Sequence, residues 1–223
     1  MTTLLGLRAE LVRCAHRLHQ AGWVANHDGN LTARLSAERF LATPTAVSKA
    51  AVRDDWLVVV DAEGRVVEGR RRVFSEIDLH LACYRARPEI GAVCHAHPPS
   101  ATAFGVAGIE LPLPLPEAVV SLGSVPLLPL AMPKSAEGAA AVERAASRHD
   151  AFLLAGNGVL TLGGDVDQAL LRMELVEHVA RIVLAARQLG HVGEIPEGMR
   201  NGLLGARAKA GLAPQENRKR AVS

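Results

Sequence analysis

The chain of 223 residues is long enough to bury a core without disulfides, and we expect one main domain. Its hydrophobic fraction of 49% and charged fraction of 22% are those of an ordinary globular protein rather than a disordered or fibrous one. A net charge of +2 and an aromatic content of 3% argue against a nucleic-acid partner, because they leave little basic surface and few stacking platforms.

The start of the chain and its cysteines bear on the compartment. Arg8 and Glu10 interrupt the apolar start, and no later stretch reaches the roughly 18 uncharged apolar residues of a membrane span. The three cysteines are odd in number and fit no paired motif, so they predict reduced thiols and a cytoplasmic protein. We therefore expect neither export nor membrane insertion, and a small molecule as the partner.

The first half of the chain alternates between helix and strand signals. Residues 5–21 place apolar side chains at helical spacing and predict an amphipathic helix. Short segments within residues 31–68 are separated by turn residues and predict antiparallel strands. Ser75 then predicts the N-cap of a second helix, because its hydroxyl precedes a run of helical spacing. A buried strand over residues 90–97 ends at Pro98, since proline cannot continue the hydrogen-bond ladder.

The second half begins with a segment crowded with prolines. We expect residues 111–133 to be extended connecting chain rather than helix. A helix over residues 136–148, two strands that flank residues 155–158, and a long helix capped by Asp165 follow. Together the elements predict an α/β protein with three α/β/α layers around a mostly antiparallel or mixed sheet.

We expect one domain over residues 1–195. The remaining residues, 196–223, are rich in Gly, Arg and Lys, and this composition predicts a mobile basic tail.

His95 and His97 stand two residues apart at the end of a predicted strand, so both imidazoles leave the same face of the sheet. That spacing lets the two rings share one ion at roughly 2.0–2.1 Å per bond. Spacing alone supports a metal pair and two ordinary histidines equally, and the position at a strand end favours the metal. Glu76, in the first turn of the preceding helix, fits a ligand, a general base or an ordinary capping carboxylate.

Two polar turns, Gly29-Asn30-Leu31-Thr32 and Thr43-Pro44-Thr45, can present backbone N–H groups and hydroxyls to an anion. Turns of this composition are also common in ordinary hairpins, and the turns alone favour that plainer interpretation.

In their order and spacing these motifs, with Ser75-Glu76, His95-x-His97 and Gly158, resemble the class II aldolase/adducin family over about residues 5–189. The resemblance implies a class II aldolase-like fold, with His95 and His97 as zinc ligands and Glu76 as the acid/base that also approaches the metal. It also implies that Gly29, Asn30, Thr45 and Ser75 cradle a substrate phosphate.

The resemblance further implies a metal-dependent aldolase-type lyase, which cleaves a sugar phosphate or a hydroxy-keto acid through a metal-stabilised enediolate. Zn²⁺ is the expected ion, with Mn²⁺ or another divalent transition metal as the alternative. An epimerase, a dehydratase, a decarboxylase and a non-catalytic adducin-like assembly domain remain open. Family members are commonly tetramers with active sites at subunit contacts, so a homo-oligomer is expected.

The chain departs from the family pattern at several positions. Asn157 stands where members usually have a third metal-binding histidine, which implies a weaker site or a different ion. His178, on the long helix, is one candidate to complete the site. Phe74 and Ala46 replace a serine and a glycine of the phosphate pocket, which implies weaker anion binding. The aldolases' tyrosine acid has no counterpart, and Glu117 is one candidate substitute.

Overall fold

The computed structural model of the protein describes residues 3–132 and 134–214, and its centre is one mixed sheet. The strands lie in the order β4-β3-β2-β1-β5-β8-β7-β6. Neighbouring strands are antiparallel except for the parallel pair β6 and β7. The strands are β1 (Asn30–Arg34), β2 (Arg39–Ala42), β3 (Val58–Asp61), β4 (Val66–Glu68), β5 (Ala92–Ala96), β6 (Leu127–Leu128), β7 (Ala151–Leu154) and β8 (Val159–Gly163).

Helices cover both faces of this sheet, which confirms the predicted three-layer α/β architecture. They are α1 (Leu4–Gln20), α2 (Ile77–Ala86), α3 (Pro99–Val106), α4 (Pro116–Leu122), α5 (Ala136–Ala146), α6 (Val166–Gln188) and α7 (Glu197–Lys209). Helices α1, α3, α4 and α6 share a core with one face, whereas α2 and α5 cover the other. Within the described ranges, no helix combines the length and the apolar character needed to cross a bilayer.

Strand β5 divides its side chains between the two cores. Cys94 and Ala96 belong to the core under α1 and α6, and Val93 belongs to the core under α2 and α5. Because side chains alternate along a strand, His95 leaves the sheet on the α2 side together with Val93. This alternation decides which helices can contribute to a site around His95.

Helix starts follow local chemistry, with one correction. Asp165 caps α6 as predicted, since its side chain accepts a hydrogen bond from the backbone N–H of Gln168. The predicted N-cap Ser75 is wrong, because the N-cap of α2 is Glu76, which makes no side-chain cap bond. The Glu76 carboxylate is instead bound by amide groups from other parts of the chain.

The proline-rich segment contains a helix that the sequence analysis did not predict. Helix α4 begins at Pro116, and the expectation of extended chain throughout residues 111–133 is wrong there. The physical reason is that a proline in the first helical turn needs no N–H partner and already has a helical φ. Proline content alone therefore did not exclude a short helix.

The expected mobile tail begins with an ordered helix instead. Helix α7 packs against α4, and the side chain of Arg207 is buried. Arg207 donates hydrogen bonds to the carbonyls of Val120 and Ser121 and forms an ion pair with Asp150, so these bonds fix the helix to the domain. The last part of the predicted tail, residues 215–223, lies outside the described residues.

Candidate metal and active site

His95 and His97 lie at the end of β5, with their Nε2 atoms 3.3 Å apart. Gly158, at the start of the neighbouring strand, allows this arrangement because its φ is +78°. A Cβ at Gly158 would lie 2.4 Å from both the Ala96 carbonyl oxygen and the His97 Cδ2 atom. The glycine of the family motif is therefore required by the close approach of the chain to His97.

The Nδ1 atoms of both rings donate hydrogen bonds to oxygen atoms of the protein. His95 Nδ1 donates to the Val159 carbonyl at 3.0 Å, and His97 Nδ1 donates to Asp28 Oδ2 at 2.9 Å. A neutral imidazole carries one N–H, so these bonds leave a lone pair on each Nε2. Two lone pairs that face each other at 3.3 Å require a proton or a cation between them. Fixing Nδ1 with a carbonyl or carboxylate is how proteins orient metal-binding histidines.

Two distances from His95 Nε2 to neighbouring ligand-type atoms match those between the ligands of a tetrahedral ion. Glu76 Oε2 lies 3.5 Å from His95 Nε2, close to the 3.3 Å between the two Nε2 atoms. Bonds of roughly 2.0–2.1 Å at tetrahedral angles hold ligand atoms about 3.4 Å apart. Among the described residues, no three His, Cys, Asp or Glu side chains are already gathered as a complete ligand set. The donor types and the two facing lone pairs nevertheless suit a divalent transition metal.

Two amide side chains hold the Glu76 carboxylate. Asn30 Nδ2 donates to Oε2 at 3.1 Å, and Asn157 Nδ2 donates to Oε1 at 2.7 Å. Burial works to raise the pKa of Glu76, but the His95 interaction and these two hydrogen bonds outweigh it and hold the pKa below its ordinary value. Burial lowers the pKa of His95, which keeps that imidazole neutral. The site therefore combines an ionised carboxylate with a neutral ligand-type histidine.

Asp28 is a site residue that the sequence analysis missed. Its Oδ1 accepts the backbone N–H of Ala25 at 2.5 Å, while its Oδ2 accepts the Nδ1–H of His97. An aspartate beside Gly29 looks like a turn residue in the sequence. The available signal was its position directly before the Gly29-Asn30 motif.

A buried polar chain lies behind the carboxylate and was also missed. Thr32 Oγ1 lies 2.8 Å from His80 Nδ1 and 2.9 Å from the hydroxyl oxygen of Tyr84. Burial and repulsion from His95 lower the pKa of His80 to about 3, so this ring is neutral. His80 follows Glu76 by four residues, and helical spacing could have placed both on one face.

Three of the four residues assigned to the phosphate lie on loops, and the fourth, Asn30, begins β1. Gly29 has a φ of +69°, and a Cβ there would lie 2.4 Å from Val24 Cγ1. Asn30 contacts Glu76, and Ser75 lines a cavity of about 200 Å³ together with Glu76 and Asn157. The Thr45 backbone N–H donates to the carbonyl of Arg72, which ties its turn to the loop before Ser75.

His178 and Glu117 are not brought into this group. Both are exposed, and together with Arg17 they line one open groove beside α1, α4 and α6. Helix α6 packs on the face of the sheet opposite to the His95 side chain. The structure thus separates the two substitute candidates from the residues that it gathers around His95.

Comparison with known proteins identifies the family of the chain. The family model for the class II aldolase and adducin N-terminal domain matches residues 9–184. The chain belongs to this family. The predicted family resemblance and fold class are thereby confirmed.

The similar proteins of this family have different activities. A 3-oxo-tetronate 4-phosphate decarboxylase of Escherichia coli is 32% identical over 200 residues, covering 86% of this chain and 94% of that protein. An L-fuculose phosphate aldolase of Methanococcus vannielii is 28% identical over 173 residues, covering 78% and 93%. A solved structure of L-fuculose 1-phosphate aldolase superposes with a TM-score of 0.85 at 26% identity, covering 94% and 98%. The relatives are enzymes, and their names do not agree on one reaction.

Proposed function

We propose that this protein is a metal-dependent lyase that breaks the bond between the α and β carbons of a small phosphorylated hydroxy-carbonyl compound. The observation that carries the proposal is the pair of Nε2 atoms of His95 and His97, which lie 3.3 Å apart while both Nδ1 atoms are already bound. An ordinary buried histidine pair would use at least one Nε2 as a donor. Here both Nε2 atoms are available to a ligand.

His95, His97 and Glu76 would hold the ion. When bound, a divalent metal supplies Lewis acidity at the carbonyl and hydroxyl oxygens of the substrate and favours the enediolate that bond cleavage leaves. The donor set of two imidazoles and one carboxylate suits Zn²⁺ and also tolerates Mn²⁺. The role of Asn157 in this scheme is to hold Glu76 through its amide N–H.

The side chains around the ion have separate tasks. Glu76, ionised and held at both oxygens by Asn30 and Asn157, would take a proton from a substrate hydroxyl and return it to carbon. Asp28 fixes the tautomer of His97, and the carbonyl of Val159 fixes that of His95. Gly29, Asn30, Thr45 and Ser75 bind the phosphate in this proposal. The phosphorylated substrates named for the relatives support that assignment.

Metal analysis of the purified protein tests the proposal. We expect about one divalent transition metal per chain, which His95→Ala abolishes. His178→Ala is the matched control, because it removes an exposed histidine from α6 and should keep full occupancy. Native protein purified without added metal that contains none, and that takes up none on addition, would contradict the proposal.

Decarboxylation is a second candidate, favoured by the 32% identity to the Escherichia coli 3-oxo-tetronate 4-phosphate decarboxylase. Loss of carbon dioxide from a 2-hydroxy-3-keto acid leaves the same type of enediolate as aldol cleavage. A screen of ketose phosphates and 3-keto acid phosphates separates the two reactions. Aldehyde release identifies an aldolase, and carbon dioxide release identifies a decarboxylase.

We also propose that the protein works as a homo-oligomer, a tetramer by analogy with its family. Light scattering after size exclusion tests this, and a monomer at working concentrations would contradict it.

A further inference from the structure

Lys49 is buried, although lysine is among the residues least often found inside proteins. It lies on a 3₁₀ turn, Lys49–Ala51, and only 1% of its surface is exposed. Its Nζ atom donates to the carbonyl of His27 at 3.3 Å and to the carbonyl of Val47 at 3.2 Å. Within the described ranges it has no carboxylate at ion-pair distance. The chain therefore buries a cation whose direct partners are two backbone carbonyls.

Each of these carbonyls directly follows a strained residue. Asn26 precedes His27 and has a φ of 50°, and Ala46 precedes Val47 and has a φ of 56°. Left-handed backbone is unfavourable for a residue with a Cβ, and less so for asparagine than for alanine. Strain of this kind persists only where surrounding contacts hold it. The ammonium group of Lys49 is such a contact for both turns at once.

The two turns are those that carry the candidate site. The first turn leads into Gly29 and Asn30 and contains Asp28, which holds His97. The second turn contains Thr45 and Ala46, where the family has a glycine in the phosphate pocket. Lys49 joins the two turns from the protein side, since its buried side chain does not reach solvent.

We propose that Lys49 is a positioning residue of the anion site: its ammonium joins the two strained turns and places a positive charge behind them. A phosphate bound by Gly29, Asn30 and Thr45 would then contact backbone groups of these two turns. Lys49 would fix the distance between the turns and would make the electrostatic potential at the phosphate more positive. This role compensates for the donors lost through Phe74 and Ala46. The inference rests on the proposed function, which supplies the phosphorylated substrate.

The chemistry of Lys49 favours this role over simple packing. Burial lowers its pKa to about 8, opposed in part by Asp28, so the group is still an ammonium at neutral pH. Burying an ammonium without a carboxylate costs stability. A methionine of similar length would fill the same space without that cost. A charge that weakens the fold is expected where function needs it.

Binding of inorganic phosphate to the metal-loaded protein at pH 7, followed by calorimetry, tests the inference. We expect Lys49→Met to fold, to keep one metal per chain and to bind phosphate at least about tenfold more weakly. Lys209→Met is the matched control, because it removes the same charge from an exposed position on α7. Its phosphate affinity should stay within about twofold of that of the native protein.

Chemical rescue separates charge from shape. Lys49→Ala leaves a space for the four atoms it lacks, so n-propylammonium should restore phosphate binding, whereas n-propanol, its uncharged counterpart in length, should not. Lys49→Met should respond to neither compound, because its side chain fills the space. With a substrate in hand, Lys49→Met should raise KM and leave kcat within a few-fold.

The outcomes also separate this inference from the proposed function. Lys49→Met with native phosphate affinity, or equal rescue by the alcohol, overturns the role of Lys49 and leaves the metal site intact. Native protein that takes up one metal and binds no phosphate overturns both this inference and the phosphorylated substrate. Native protein that takes up no metal overturns the proposed function itself.

Discussion

Two clusters of ionisable side chains lie against the same sheet. They differ in whether every charged or polar group has a partner within the protein. At one, Asp150 is fully buried and forms ion pairs with Arg87, Arg172 and Arg207. At the other, His95 and His97 use their Nδ1 atoms and turn their Nε2 atoms toward each other. Both clusters are polar and largely buried, but only the first is complete without a ligand.

The difference separates stability from function. Asp150 joins arginines from three distant parts of the chain, and removing it would leave buried cations without a counter-charge. The lone pairs near Glu76 contribute little to the metal-free fold and become useful only when an ion is bound. Substitutions in the fully paired cluster should therefore lower the free energy of unfolding strongly. Substitutions in the cluster that lacks a ligand should change it little.

The largest effect is expected for Asp150→Asn. It should lower the free energy of unfolding by about 3–5 kcal/mol, because three buried arginines lose their shared carboxylate. Urea denaturation measures this change. Asp167→Asn is the control, since that carboxylate pairs with Arg13 on the surface, and it should cost less than about 1 kcal/mol. Equal losses in the two variants would remove the contrast between the clusters.

Lys49 lies between the two cases, because its charge has carbonyl partners and no paired carboxylate. Its pKa is lowered from 10.5 to about 8 in the folded protein. Between these values the unfolded chain binds the extra proton, so the free energy of unfolding rises with pH. We expect native protein to gain on the order of 2 kcal/mol over Lys49→Met between pH 8 and pH 10. Urea denaturation across this pH range checks it, and parallel curves for the two proteins would refute it.

Asn157→His should complete the second cluster. A third imidazole at the family position should tighten Zn²⁺ binding about tenfold, equivalent to about 1.4 kcal/mol. Competition with a fluorescent zinc chelator measures the affinity. Asn157→Ala removes the hydrogen bond to Glu76 without adding a ligand, so it should not tighten binding. Tighter binding by both variants would mean that Asn157 restrains Glu76 rather than leaving a ligand position open.

The smallest effect on folding is expected for His97→Asn in metal-free protein. The asparagine amide can keep the hydrogen bond to Asp28, but it lacks the Nε2 atom that would bind the metal. We expect the free energy of unfolding to change by less than about 1 kcal/mol, with metal binding lost. Denaturation in the presence of a chelator provides the measurement. A loss as large as that of Asp150→Asn would show that this cluster also stabilises the fold.

Much of what was predicted correctly depends on residues that are close together in the sequence. The cap at Asp165 depends on one residue and its next turn, and the alternation of β5 depends on a period of two. The family motifs added the joint placement of His95, His97 and Glu76, which periodicity could not supply.

The features that were missed depend on contacts between distant residues. Asp28 lies 69 residues from His97, and Arg207 lies 57 residues from Asp150. Lys49 resembled an ordinary surface lysine, since nothing in its neighbourhood of the sequence indicates burial. Helix α7 looked like a basic tail because the partner that fixes it belongs to the interior.

The position of Arg207 also sets an order of events during synthesis. The carboxylate of Asp150 stands at the entrance to β7, but one of its three arginines is translated 57 residues later. At typical rates of about 5–20 residues per second, a delay of about 3–11 s separates the two residues. During that interval the nascent chain can form its sheet but not its final ion pair. We therefore expect the packing of α7 to be the last step of folding, so that the domain reaches full stability only after this helix has been made.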